Sequence, residues 1–270
     1  MNKLHTMETD KIRLIYFSPT KTTKKVVETI ADAMNPKTTM RFDLTPFASN
    51  ANEFEGIKNE LAIIGVPVYC GRVPPTAVNR LRKLKVNNCP AIIVVVYGNY
   101  NYIDALFELR DIAVELGFKP IAAAAFIGEH SFSTEYFPIA NGRPDISDLN
   151  IAAEFGIKIR NKISENNLSD YQINVPGNYP YVAVDEMPLL SPDTLESKCA
   201  KCGTCVSVCP TGSIHLNGKI ETEKSKCILC CACIKNCPNK ARVNDSDYMR
   251  ESTDWLIQNC AVRREPEFFI

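Results

Sequence analysis

The chain has 270 residues, with 31 Lys and Arg against 31 Asp and Glu, and is 45% hydrophobic and 23% charged. This is globular composition, enough for one large domain or two ordinary ones, and it excludes disordered, collagenous and coiled-coil classes. A formal net charge of zero, without an aromatic-interleaved basic stripe, leaves no electrostatic footprint for nucleic acid. The longest apolar runs, Leu61 to Val68 and Ala91 to Tyr97, fall far short of a membrane span, and Met1 to Asp10 lacks the apolar stretch of a signal peptide. The expectation is a cytoplasmic protein with no membrane partner.

From residue 11 to about 166, short β-rich runs alternate with amphipathic segments, the pattern of a parallel sheet with crossover helices. Ile12 to Phe17 reads as a first strand, and Thr22 to Met34 as a helix with Val26, Val27, Ile30, Ala31 and Met34 on one face. Met40 to Leu44 and Leu61 to Val68 are the second and third strands, and Pro74 to Lys85 is a helix with proline in its first turn. Ala91 to Tyr97, continuously apolar, reads as a strand buried on both faces. Tyr102 to Leu116 is a helix closed by Gly117, Pro120 to Ile127 a fifth strand, and Asp148 to Ile163 a last helix. The predicted fold is a doubly wound α/β sheet of five parallel strands.

Residues 167 to 190 carry Pro176, Pro180 and Pro188 with little periodicity, and read as a semi-rigid surface linker. A cysteine-rich segment, 191 to 245, follows, and then a C-terminal part, 246 to 270, with a short helix at Tyr248 to Asn259 and an apolar tail expected to dock on the body.

Of the 12 cysteines, only Cys70 and Cys89 precede Cys199, and Cys260 stands apart near the end. Clustering of this kind in a reducing compartment points to metal, not to disulfides. Cys199, Cys202, Cys205 and Cys209-Pro210 repeat the spacing of Cys227, Cys230, Cys233 and Cys237-Pro238: C-x-x-C-x-x-C-x-x-x-C-P, an internal duplication. Three cysteines at a spacing of three wrap one corner of a cubane, and the fourth iron needs a distant ligand, a Cys-Pro cysteine. The competing reading, a pair of zinc sites, asks for two separated pairs of ligands at each ion, not a recurring run of three.

On these residues the segment resembles a bacterial-type ferredoxin, a small α+β domain with two 4Fe-4S clusters. The resemblance implies cross-tied ligation: Cys199, Cys202, Cys205 and Cys237 for one cluster, and Cys227, Cys230, Cys233 and Cys209 for the other. Cys231 is an extra thiol, read as a small shielded packing residue. Cys89 and Cys260 are read the same way, and Cys70 as a buried inert thiol. Segment 191 to 250 holds nine Lys and Arg against six Asp and Glu, an excess that offsets the negative charge of such clusters.

The loop Phe17 to Thr23 lies where a doubly wound sheet binds phosphate, between the first strand and its helix. Its series Ser18, Thr20, Thr22, Thr23 resembles the flavodoxin phosphate loop, S/T-x-T-G-x-T, with Lys21 in the glycine position and Pro19 lacking an N–H. A helix cap without a ligand is the alternative. The resemblance implies FMN held by Ser18, Thr20, Lys21, Thr22 and Thr23. It further implies two loops around the flavin ring: Pro67, Val68, Tyr69 and Gly71 after the third strand, and Tyr97, Gly98, Asn99, Tyr100 and Tyr102 after the fourth. Tyr69 and either Tyr100 or Tyr102 would sandwich the ring. His130, after the fifth strand, falls close to this edge. Arg80, Arg82, Lys83 and Lys85 form a basic helix, read as a solvated face or a dock for a cluster domain. No G-x-G-x-x-G supports a nicotinamide site.

The chain as a whole resembles the flavodoxin/ferredoxin fusion proteins common in anaerobes. That implies electron transfer between clusters and flavin, joining one-electron to two-electron chemistry. Two further readings stay open: a flavoenzyme that reduces a small organic acceptor, fed by the clusters, and a flavin-free scaffold carrying a ferredoxin. The implied partners are soluble redox proteins or a small acceptor, and pairing of protomers is possible.

Overall fold

The computed structural model describes residues 10–50, 56–58, 60–165, 173–184 and 188–270. The first half is built from β1 (Lys11–Tyr16), α1 (Thr22–Ala33), β2 (Thr38–Asp43), β3 (Leu61–Pro67), α2 (Pro75–Leu81), β4 (Cys89–Tyr97), α3 (Ala105–Glu115), β5 (Phe118–Ile127) and α4 (Ile146–Ser164). The second contains β6 (Asp193–Thr194), α5 (Thr204–Ser207), β7 (Ile214–Asn217), β8 (Lys219–Thr222), α6 (Ala232–Lys235), β9 (Arg242–Val243), α7 (Asp247–Asn259) and β10 (Glu267–Phe269). No helix among the described residues is long and apolar enough to cross a membrane.

The main sheet has six strands in the order β10-β5-β4-β3-β1-β2. Strands β1 to β5 are parallel in the order 2-1-3-4-5, the flavodoxin-like winding. The central strands are apolar throughout because helices cover both faces. One face packs Ile15, Ile64, Ile93 and Val95 under Leu81, Leu106 and Leu109. The other packs Leu14, Ile63, Ile92 and Val94 under α1 and α4, through Val26, Val27, Ile30, Phe155 and Ile159. A capping box starts α4: Asp145 accepts from the Asp148 N–H at 3.0 Å, and Asp148 accepts from the Asp145 N–H at 2.9 Å.

The five parallel strands are as expected, and the docked tail adds a sixth strand, because β10 pairs antiparallel with β5; three other expectations from the sequence are corrected. This edge strand sets Phe268 opposite Ala124, where the small alanines leave room for its ring to stack on Phe155 at 4.7 Å. The stretch read as a surface linker is anchored: Ile173 and Val175 are buried in the core, and Asp104 accepts from the N–H groups of Asn178 and Val182. The basic helix ends at Leu81, and its Arg80 is fully buried instead of solvated. Cys70, expected inside, is exposed.

In the cysteine-rich half, β7 and β8 form a hairpin and β6 pairs antiparallel with β9. Its core is small: Cys205, Cys209, Ile214, Ile220 and Cys233.

Candidate redox centres and the face that joins them

The duplicated spacing is also a duplicated backbone. Lys201 and Gly203 in the first run, and Leu229 and Cys231 at the matching places in the second, all adopt positive φ, between 50° and 76°. These left-handed residues bend each loop so that consecutive cysteines turn toward one point. Cys231 therefore occupies the position of Gly203. It is buried, and its thiol donates to the Leu229 carbonyl at 3.4 Å.

Cys199, Cys202, Cys205 and Cys237 line one small cavity together with Ile220, Ala241 and Arg242. The Ala241 N–H donates to the Cys237 sulfur at 3.2 Å, and Thr204 meets the Cys202 sulfur at 3.3 Å. Cys209 departs from its own run. It lies close enough to Cys227, Cys230 and Cys233 to raise their pKa values, on top of the larger effect of burial, which together bring Cys233 to about 11 and Cys230 higher still. The hydroxyls of Ser213 and Thr211 meet the Cys209 sulfur at 3.2 and 3.6 Å. The cavity is ringed by thiols, with no carboxylate or imidazole in its lining. A thiol donor set suits soft iron-sulfur ligation, and buried thiolates of this kind need adjacent positive charge to persist. Among the described residues, no group of three or more His, Cys, Asp or Glu is placed to hold a metal ion. The two groups differ in setting: in the first Cys202 is exposed, Cys199 and Cys237 half-buried and Cys205 buried, whereas in the second Cys209, Cys230 and Cys233 are buried and Cys227 half-buried.

In the α/β half, the four loops at the carboxyl ends of β1, β3, β4 and β5 share one edge of the sheet, where such folds hold ligands. Lys21 caps α1 with φ 69°, so the glycine-type backbone of the phosphate loop is kept without glycine, at a cost of about 1–3 kcal/mol. The Ser18 N–H donates to Thr45 Oγ1 at 2.8 Å, and Ser18 Oγ accepts from the Lys24 N–H at 3.0 Å. Thr23 Oγ1 is buried with no hydrogen-bond partner. An orphaned hydroxyl beside a helix N-terminus is the arrangement that a phosphate oxygen would complete. Thr20 and Thr22 are half-buried, and Thr22 packs against Gly128 of the loop after β5.

After β3, the Val68 N–H donates to the Val96 carbonyl, and Tyr69 and Arg72 close a tight turn with reciprocal hydrogen bonds at 3.0 Å. The two central residues, Cys70 and Gly71, both have positive φ, as a mirror-image turn requires. Gly71 leaves no room for a Cβ, which would meet Ile103 at 2.6 Å, so this loop and the one after β4 are packed together. The Tyr69 hydroxyl is buried among Ser131, Cys230 and Cys231, and its pKa is raised well above the ordinary value, chiefly by burial.

The loop after β4 is claimed largely by the C-terminal part. Tyr97 packs edge-on to Tyr102 at 5.4 Å, and the Tyr102 hydroxyl donates to Glu267 at 2.9 Å. Asn99 donates to the carbonyls of Cys260 and Val262 and accepts from the Arg264 N–H at 3.0 Å. Tyr100 stands edge-on to Trp255 at 4.9 Å. Gly98 is overlain by His130, whose Cδ2 would lie 2.1 Å from an added Cβ. Burial, and then the nearby Lys235 ammonium, bring the His130 pKa down to about 4.

Several side chains fasten the cysteine-rich segment to the α/β half, Lys240 among them through Glu135. Lys235 of α6 pairs with Glu129 and donates to the Ser133 carbonyl at 2.7 Å, Ile228 packs on the sheet core, and Arg80 donates to the carbonyls of Leu44, Thr45 and Pro210. No sequence period announces Arg80, Ser131 or Arg242 in these places; the single legible hint was the basic character of the Arg80 helix.

A 4Fe-4S binding domain family matches residues 193–215. No curated protein matches the chain by sequence. Among solved structures, a flavodoxin from the domain Archaea is 14% identical over 57% of this chain and 99% of its own, with a TM-score of 0.36. A Fusobacterium nucleatum flavodoxin bound to flavin mononucleotide is 16% identical over 58% of this chain and 98% of its own, with a TM-score of 0.38. The rubredoxin oxygen:oxidoreductase of Desulfovibrio gigas is 14% identical over 61% of this chain, which spans 38% of that one, with a TM-score of 0.42. A flavodoxin-like sheet followed by a 4Fe-4S binding domain fits a flavodoxin/ferredoxin fusion.

Proposed function

We propose that the chain carries electrons between two 4Fe-4S clusters and an FMN at the carboxyl edge of its sheet. The observation that carries this reading is the position of Tyr69. It belongs to a loop read as bordering the flavin, and its hydroxyl lies near enough to Cys230 and Cys231 of the second cysteine run for their charge to act on it. The flavin loops and the second cysteine run, so read, meet at this side chain.

Bound clusters each exchange one electron at low potential, and bound FMN stores two. The residues do the rest. Cys199, Cys202, Cys205 and Cys237 hold the cluster nearer solvent, with exposed Cys202 at its rim. Cys209, Cys227, Cys230 and Cys233 hold the inner one, against the α/β half. The inner set thus faces the flavin loops, and the outer set faces a soluble redox partner. Ser18 and Thr20 to Thr23, with the first N–H groups of α1, receive the phosphate. Pro67 to Gly71 and Tyr97 to Tyr102 border the ring. Asn99 and Tyr102 give it shape, not hydrogen bonds, since their polar atoms are bound to the tail. Tyr69, His130 and Ile228 exclude water between the centres.

That same commitment of Asn99, Tyr102 and Tyr100 to the C-terminal part favours a second reading, a flavin-free scaffold for the ferredoxin domain. Anaerobic titration of the purified chain with FMN separates the two. Tight binding that weakens at least tenfold in Thr23→Val or Tyr69→Ala supports the flavin site; no binding, or equal binding in the variants, supports the scaffold. A stopped-flow comparison then tests the order of centres. Cys209→Ala should abolish flavin reduction by an external one-electron donor, whereas Cys237→Ala, which loses the outer cluster, should slow it at entry.

A further inference from the structure

Arg242 of β9 is 3% exposed, yet its guanidinium meets no carboxylate. Nη1 donates to Thr194 Oγ1 at 2.6 Å and Nη2 to Thr222 Oγ1 at 2.9 Å, while Nε has no hydrogen-bond partner. Two other buried arginines make the contrast: Arg13 is paired with Glu60, and Arg143 with Asp148, while Arg80 is met by three backbone carbonyls with the Asp43 carboxylate nearby. No carboxylate forms an ion pair with Arg242 among the described residues. A buried cation met only by neutral groups is strongly disfavoured unless negative charge is supplied from elsewhere.

What surrounds Arg242 is sulfur. It lines the cavity of Cys199, Cys202, Cys205 and Cys237. β9 also packs against α6, which carries Cys233, and the guanidinium hydrogen-bonds the Cys233 sulfur. One guanidinium therefore touches members of both cysteine groups, which no Lys or other Arg of the segment is shown to do. Oxidised 4Fe-4S clusters with four thiolates carry about two negative charges each, and one more on reduction, which is the charge this site lacks.

We propose that Arg242 is the internal counter-cation shared by the two clusters, holding the reduction potentials of both above the values they would have without it. This rests on the two-cluster reading above. Reduction adds one electron to a cluster without making or breaking a bond, so the local negative charge rises by one and a fixed cation stabilises the reduced form. The hydroxyls of Thr194 and Thr222 orient the guanidinium without neutralising it.

The test is an EPR-monitored redox titration of the anaerobically purified full chain, with iron and sulfide counted in every sample. Arg242→Met should keep both clusters and shift both midpoint potentials to more negative values. Arg242→Lys should return most of the shift, and Thr194→Val/Thr222→Val, which removes the hydroxyls but keeps the charge, should move them far less than Arg242→Met. Unchanged potentials in Arg242→Met, or a shift confined to one cluster, would overturn the proposal. If Arg242→Met fails to retain clusters, Arg242→Lys decides: full occupancy at wild-type potentials supports the cation, and an empty protein overturns it. Fewer than two clusters in the wild-type chain would instead refute the reading on which the proposal rests.

Discussion

The two halves of this molecule are stable for different reasons. The α/β half buries strand after strand of Ile, Val and Ala between helices, and its sheet is complete without any ligand. The cysteine-rich half has a core of two isoleucines and three cysteines, two short strand pairs and single-turn helices. Its loops are bent by four left-handed residues, three of them not glycine, which is strained backbone with little apolar burial to offset it. The difference teaches that the first half specifies a scaffold, whereas the second specifies a ligand set whose bound metal must complete the fold.

The comparison breaks most visibly on metal removal. Chelation of iron from the anaerobic protein should cause wholesale loss of amide protection across 191–245, while the strands β1, β3 and β4 stay protected. Hydrogen exchange followed by mass spectrometry checks this, and equal protection of both halves in the metal-free chain would sink it.

A second effect concerns the strap that joins the C-terminal part to the sheet. Arg143 and Asp148 are 6% and 0% exposed and paired, and Arg143 also donates to the Arg264 carbonyl at 2.7 Å. Asp148→Asn strands a buried guanidinium and should cost about 3–5 kcal/mol, read from denaturant unfolding of the α/β half. It should also release β10 from β5, visible as faster exchange at residues 267–269.

A third sharpens the boundary between the halves. His130 titrates at about 4 in the fold against about 6.5 when unfolded, so the unfolded chain binds the proton first as pH falls. No stability is at stake above pH 7. Between pH 7 and pH 5 the wild type should lose about 2 kcal/mol from this group. His130→Asn should lack that slope; identical pH dependence in wild type and variant would show that His130 is not the group responsible. The smallest effect is at the phosphate loop, where Lys21→Gly removes a strained left-handed side chain and should stabilise the α/β half by about 1 kcal/mol.

Much of the fold was legible because it is locally periodic. The five parallel strands and their helices follow from continuous apolar runs and i, i+3, i+4 faces, and the duplicated cysteine runs are visible by spacing alone. What sequence did not disclose depends on distant partners. Strand β10 is three residues long and exists because the alanines of β5 admit Phe268. Arg80 looks like one of a set of surface cations until Pro210, 130 residues away, accepts from it. The loops around the candidate flavin site were legible as positions at a sheet edge. That Asn99 and Tyr102 are claimed by the tail was not, since the contacts span 161 to 165 residues of chain.

The most direct test of the central claim is the anaerobic absorption spectrum of the purified chain, with iron, sulfide and flavin quantified on the same sample. Two clusters and one flavin predict a brown protein with about eight irons, about eight sulfides and one FMN per chain. A colourless protein that contains only zinc, or a brown one with half the iron and no affinity for FMN, would contradict it.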